Sequence, residues 1–260
     1  MSEFTDRAIS VLRAHHDELA DVVDRLPTDR LTGPSGAADW TVAQVLSHLG
    51  SGAEIMLPAV RAAVEGGAPP EQDNPAIWAR WDASTPQEQA RGFVEHDARL
   101  VELLESVPAD QRDVVRVDLG FLPDPVPLDG AVALRLNEVA AHAWDVRVAT
   151  DPDAPLDADA AQLLAEAFSG DLAFMLGFIG HADALGEPAV VAVEDFTLSI
   201  GDGVRLSTGA PTEPSATFDG PLEAAVRLLT GRLRPDVTPA DVRVTGSVSV
   251  EDLRRVFPGF

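Results

Sequence analysis

Glu138-Val139-Ala140-Ala141-His142 is the stretch of the chain with the most chemistry in it. On a helix, residues four apart lie one above the other, so a carboxylate and an imidazole at this spacing can converge on one ion. The stripe continues to Asp145 and is flanked by Leu136, Val139, Ala143 and Val146. Ionisable groups among apolar core positions are costly unless something pairs with them. His48 supplies a possible third group, because it falls between Val45 and Leu49 in another apolar pattern and so turns inward. Two histidines and one carboxylate make a suitable zinc set and leave positions open for water or substrate. The same residues also fit a metal-free arrangement, with His48 hydrogen-bonded to Glu138 or to backbone. Asp145 is either a partner that orients a ligand histidine or an ordinary helix-face aspartate.

The remaining candidates are plainer. His15 or His16 falls on the apolar stripe of the first helix and His96 near that of the third, where core or boundary histidines satisfied by neighbours are expected. His181 follows Gly180 at a helix end, where a cation is favourable. Trp40 and Trp144 read as packing residues. No Gly-x-Ser-x-Gly elbow and no glycine-rich phosphate loop is present, so any nucleophile is a metal-bound water or a thiol brought from outside. Composition narrows the chemistry further. The 260 residues contain no cysteine, no tyrosine and no lysine. A disulfide scaffold, a cysteine nucleophile, an iron–sulfur site, Schiff-base chemistry and a tyrosine acid are thereby excluded. A formal net charge of −24 repels phosphate backbones and anionic lipid, so neither nucleic acid nor a membrane is an expected partner. The segment MSEFTDRAIS has no basic run leading into an apolar one, which predicts no secretory signal and a cytoplasmic protein.

Four helices must position these residues. Ile9, Leu12, Leu19, Val23 and Leu26 recur at helical spacing over residues 3–26. Asp39-Trp40-Thr41 offers a cap for a second helix with Val42, Val45, Leu49, Met56 and Val60 on one face. Ser84-Thr85-Pro86 starts a third, which stops before Pro108, and Asp129 is the expected cap of a fourth running to about residue 150. Residues 65–74 read as a Gly/Pro-rich connection, and 118–127 carry three prolines. Four apolar-striped helices predict a four-helix bundle over residues 1–150. TDPDAPLD (150–157) is the linker. Beyond it, residues 158–260 read as a helix over 158–179, then strands at 189–193, 196–200, 204–207 and 215–218. A helix over 221–233, a strand at 242–248 and a short terminal helix follow. The fold class is therefore α+β.

Two segments resemble a known family. Ala38-Asp39-Trp40-Thr41-Val42-Ala43-Gln44-Val45-Leu46-Ser47-His48-Leu49 is similar to the segment of the mycothiol-dependent maleylpyruvate isomerase family that ends in its first metal histidine. Asn137-Glu138-Val139-Ala140-Ala141-His142-Ala143-Trp144-Asp145 resembles its second motif, which supplies a glutamate and a histidine. Gly220-Pro221, Leu228-Leu229-Thr230-Gly231-Arg232 and Val244-Thr245-Gly246 are similar to its second domain. The resemblance implies a DinB-like four-helix bundle followed by a smaller α/β sterol-carrier-like domain. It implies a divalent metal, normally zinc, held by His48, Glu138 and His142, with mycothiol as thiol cosubstrate. It further implies that Arg232 meets an anionic part of the thiol or substrate. The loop from Pro69-Pro70 to Trp81 matches no family motif; Arg80 is a weaker cofactor-binding candidate there. Mycothiol belongs to actinobacteria, and exclusive use of arginine with much alanine and aspartate agrees with a GC-rich genome.

The expected function is that of a metal- and thiol-dependent transferase or isomerase acting through a metal-activated thiolate on a small electrophile, carboxylate-bearing ones included. It would work as a monomer or homodimer. Two alternatives stand beside it: a non-catalytic small-molecule or lipid-binding module whose metal is structural or absent, and a hydrolase using zinc-bound water.

Overall fold

Capping residues set the long helices in place. In the computed structural model, which describes residues 2–259, the Thr41 hydroxyl accepts from the Gln44 N–H at 3.2 Å while Gln44 Oε1 accepts from the Thr41 N–H at 2.8 Å. This reciprocal pair satisfies two backbone donors that a helix start otherwise leaves bare. Thr85 and Glu88 repeat the device, with Pro86 in the first turn. Gly66, at φ 74°, closes the helix that Thr41 opens.

The chain divides into two compact units at the Thr150–Asp151 junction. The first contains four long helices: α1 (Ser2–Arg25), α3 (Val42–Glu65), α5 (Pro86–Ser106) and α7 (Leu128–Val148). Shorter elements connect them: α2 (Thr28–Leu31), α4 (Asn74–Asp82), α6 (Ala109–Arg112), and a hairpin of β1 (Arg116–Val117) and β2 (Val126–Pro127). α3 packs on α5 and α7, and α1 packs on α5 and α7. Leu12, Leu19, Leu46, Leu49, Phe93, Leu100, Leu136 and Trp144 fill the core between them. α7 is buried on nearly all sides although it carries Asp129, Arg135, Asn137, Glu138, His142, Asp145 and Arg147. Its polar groups therefore need partners inside the protein.

The second unit has α8 (Ala158–Phe168), α9 (Ala173–Ile179), α10 (Leu222–Leu229) and α11 (Val250–Val256) with strands β3 (Ala189–Val193), β4 (Phe196–Ile200), β5 (Val204–Thr208), β6 (Ala216–Asp219) and β7 (Arg243–Gly246). The sheet order is β5-β4-β3-β6-β7, antiparallel except for the parallel β3–β6 pair. One face of β3, β4 and β6 alternates inward with Val191, Val193, Leu198 and Phe218. Behind them a void of about 10 Å³, lined by Phe196, Phe218, Val226 and Leu253 among others, has room for at most one water.

The α+β class agrees with the sequence reading, but several local expectations differ. Residues 74–82 form a helix, not loop: Asp73 caps it by accepting from the Ala76 N–H, and Pro75 stands in its first turn. Asp129 is not the cap of α7; Pro127 holds that place, and Asp129 lies in the first turn with its Oδ1 accepting from Gly130 N–H. Residues 158–179 are two helices at 91°: past Ser169 the i−4 ladder gives way, with the N–H groups of Gly170 and Leu172 both donating to Ala167 O. α10 ends at Leu229, where Gly231 reverses the chain at φ 71°. Among the described residues, no single helix is long and apolar enough to cross a membrane.

Candidate metal centre

α3 and α7 bring His48, Glu138 and His142 together. One ligating atom from each lies within 4.8 Å of the others. His48 Nε2 and Glu138 Oε2 share a hydrogen bond of 2.8 Å, and His142 Nε2 is 3.9 Å from the same oxygen. The two imidazoles meet edge to face, with centroids 4.8 Å apart. Burial pushes the Glu138 carboxyl up, but the His48 hydrogen bond and the nearby charges of His142, His48 and Arg135 outweigh it and hold the group at about 2. Glu138 is thus an anion at neutral pH, as a ligand must be.

The surroundings orient all three groups. His142 Nδ1 lies 2.8 Å from Oδ2 of Asp145, which is fully buried. With its proton on Nδ1, the imidazole turns the lone pair of Nε2 toward His48 and Glu138, the arrangement by which carboxylates fix metal-binding histidines. Asn137 Nδ2 donates to Glu138 Oε1 at 3.3 Å, leaving Oε2 for the imidazoles. Trp40, expected to be a packing residue, instead stacks over His142 at 5.8 Å and 17° and lies 5.2 Å from His48; it is 37% exposed. Sequence could not show this, since Trp40 precedes the α3 cap and its direction depends on the turn at Gly36–Asp39. Trp144 is buried, as expected. The donor set fits a divalent cation: two imidazole nitrogens, one carboxylate, and a neighbouring carboxylate that orients one imidazole.

Beside His48 opens a cleft of about 440 Å³. Trp40, Trp78 and Trp81 wall it; Gln44, Ser47 and Ser51 of α3 face it, and Asp82 stands at α4's end. α4 is docked through Trp81, whose indole fills a notch between two glycines. A Cβ on Gly50 would lie 2.3 Å from the ring, and one on Gly92 2.7 Å. Trp81 Nε1 donates to Glu54 Oε2 at 2.7 Å, and Gln89 Nε2 donates to Trp81 O at 3.0 Å. Burial raises the Glu54 carboxyl, while Arg80, Trp81 and His96 lower it further, for a net fall below its ordinary value.

Arg80 therefore lies on α4 with its guanidinium bonded to Glu54, outside the residues that line the cleft. Arg232 belongs to the second unit, where its Nη1 donates to Thr230 O at 3.1 Å. His96 is 3.8 Å from Glu54, and His15 is 3.8 Å from Glu18. A polar network that sequence reasoning missed lies deeper in the bundle. Asp97 of α5, 1% exposed, accepts from Arg135 Nη2 at 2.6 Å and pairs with His16 Nδ1 at 2.8 Å. The same Arg135 nitrogen donates to Leu49 O at 2.9 Å. All four long helices are joined by these contacts.

Comparison with known proteins bears on this geometry. Residues 12–147, just over half of the chain, match the family described as Mycothiol maleylpyruvate isomerase N-terminal domain. The chain belongs to that family. His48, Glu138 and His142 all lie within the matched residues. Two proteins of Mycobacterium tuberculosis, strains CDC 1551 / Oshkosh and ATCC 25618 / H37Rv, are each 27% identical over 153 residues, spanning 58% of this chain and 72% of the relative; both are described as uncharacterized. The crystal structure of the mycothiol-dependent maleylpyruvate isomerase is similar with a TM-score of 0.63 at 19% identity, covering 94% of each chain. A histidine-to-alanine mutant of that enzyme gives 0.63 at 18%, again over 94% of each. The two structures and this chain share a fold.

Proposed function

We propose that this protein is a metal- and mycothiol-dependent isomerase or transferase acting on a small electrophile. The observation that carries the reading is the convergence of His48, Glu138 and His142 beneath Trp40 and beside an open cleft. His48 and His142 would hold the ion through nitrogen and Glu138 through Oε2, with zinc the expected metal. A bound divalent ion lowers the pKa of a thiol so that it is a thiolate at neutral pH.

The chain's own groups do the rest. Asp145 keeps the proton of His142 on Nδ1, and Asn137 holds Oε1 of Glu138. Trp40 shields the imidazoles from water on one side. The cleft positions the electrophile against the thiol. In isomerisation the sulfur adds to an activated double bond, the resulting single bond rotates, and elimination of the same sulfur restores the double bond and the thiol. In transfer, the C–S bond stays and a leaving group departs with the electron pair. Arg232 is assigned to an anionic part of the thiol or substrate, since its fork of donors suits two oxygens. In this reading residues 1–150 are the metal-binding bundle and 158–260 the sterol-carrier-like domain of a cytoplasmic enzyme.

Metal content by mass spectrometry on untagged protein, wild type beside His48→Ala, tests the reading. About one zinc per chain, lost in the variant, together with thiol consumption only in the zinc-loaded wild type, is the expected result. Protein that takes up no metal after zinc is added overturns it. Activity on an ester or amide without any thiol would favour the hydrolase instead.

A further inference from the structure

The three groups of the candidate centre are not held alike. Asp145 orients His142 and Asn137 holds Glu138, and all four residues belong to α7. His48 comes from α3, and among the described residues no side chain but Glu138 hydrogen-bonds its ring. Its place is therefore set by where the α3 backbone runs. Next to it, the Leu49 carbonyl accepts from Arg135 Nη2 at 2.9 Å. Arg135 stands three residues before Glu138 and seven before His142, on the same face of α7.

Other helices hold this guanidinium in turn. The same Nη2 donates to Asp97 Oδ1 at 2.6 Å, and Asp97 Oδ2 pairs with His16 Nδ1 at 2.8 Å. Arg135 is 5% exposed and Asp97 1%. On α3, a Cβ at Gly52 would come within 3.2 Å of Arg135 Nη1, so glycine leaves the guanidinium room to approach the helix. A buried ion pair gives little net stability over an apolar replacement of similar volume. What its hydrogen bonds supply is direction. Apolar packing is non-directional and lets one helix slide on another. A slide of one residue's rise, about 1.5 Å, is several times the ~0.2 Å tolerance of a metal–ligand distance.

We infer that Arg135 is a positioning residue for the metal centre. It ties the Leu49 carbonyl to Asp97 and so fixes where α3 presents the His48 imidazole to Glu138 and His142. The inference rests on the proposed function, since it concerns the same site. The Arg135 charge also favours the Glu138 carboxylate, as the smallest of the influences that hold it ionised. Two variants separate position from charge.

Asp97→Asn combined with Arg135→Met removes both buried charges at similar volume and leaves an amide facing His16. Neutral replacement of a buried pair keeps the fold stable. Arg135→Lys keeps the cation, but its side chain is about one bond shorter, so the ammonium follows the Asp97 charge and gives up the Leu49 carbonyl. Urea unfolding establishes that each variant is folded. Zinc affinity, from competition with a chromophoric chelator, should fall about tenfold or more in both. The visible absorption of the cobalt-loaded protein should change in both, as the His48 nitrogen leaves the ion. In metal-free protein the imidazole nitrogen NMR signals of His48 should move, while those of His142, held by Asp145, stay.

A residue serving stability alone would leave zinc affinity, cobalt spectrum and His48 signals unchanged in a folded variant, and that result overturns the inference. Loss in the double variant with wild-type behaviour in Arg135→Lys assigns the effect to charge and overturns it too. The metal-free signals separate the two proposals. Wild type that takes up no zinc, with His48 signals displaced in the variants, sinks the proposed function alone. Zinc-binding wild type, with affinity and spectra unchanged in the variants, sinks the positioning inference alone.

Discussion

At the scale of single residues, the candidate ligands depend on groups that touch them from behind. Asp145 cannot be a surface aspartate: it is fully buried and its carboxylate faces His142 Nδ1. Asp145→Asn should lower zinc affinity about 10- to 100-fold, the usual cost of losing such an outer partner. Competition against a chromophoric chelator measures it, and unchanged affinity would reduce Asp145 to a packing role. Asp97 serves a different purpose. Burial raises its pKa, but the Arg135 charge and the His16 hydrogen bond outweigh burial and leave it below the ordinary value. Asp97→Asn leaves Arg135 buried without its counter-charge and should cost about 3 kcal/mol of stability, read from urea unfolding. The convergence of these three groups was legible because Glu138 and His142 stand four apart in a buried helix and His48 sits inside an apolar stripe. The Asp97–Arg135–His16 network was not, because its three members lie on three helices with no spacing to relate them.

At the scale of elements, the cleft exists because α4 is docked against α3 and α5. Two glycines make the notch for Trp81, and Glu54 takes both the indole N–H and the guanidinium of Arg80. Gly50→Ala places a methyl where the Trp81 ring now sits. It should cost about 1–3 kcal/mol and alter the near-ultraviolet dichroism and tryptophan fluorescence as the ring is expelled. Retention of both signals would show that the notch has slack. Residues 65–81 carry enough Gly and Pro to read as loop throughout, and they hide this helix. Nine residues are too few for a convincing periodicity, so α4 is fixed by the pocket that receives its tryptophan.

At the scale of the whole molecule, a net charge of −24 makes self-repulsion a general term, and added salt should raise Tm by screening it. Specific carboxylates act in the opposite sense on acidification. Glu18, chiefly through the neighbouring His15 imidazole and then the Arg147 charge, against burial, is held at about 2. A depressed folded-state pKa contributes stability that is complete above the unfolded value, about 4.3, and disappears as pH falls through about 2. Urea midpoints should therefore fall as pH drops from ~4 to ~2. Glu18→Gln should show a shallower fall. An identical slope in the variant would mean that Glu18 is not among the groups responsible.

The amino-acid sequence by itself determined the α+β class, the helices that start at Thr41 and Thr85, the alternating strands of the second unit and the three residues able to ligate an ion. These are local properties: capping hydroxyls act on backbone within one turn, and periodicity assigns a face to each residue. Tertiary structure alone decided what those faces meet. Trp40 lies over His142, Trp81 lies between Gly50 and Gly92, and Asp97 meets Arg135 and His16. Each of these pairs residues far apart in the chain, and the direction of a side chain across such a distance is set by packing, not by propensity.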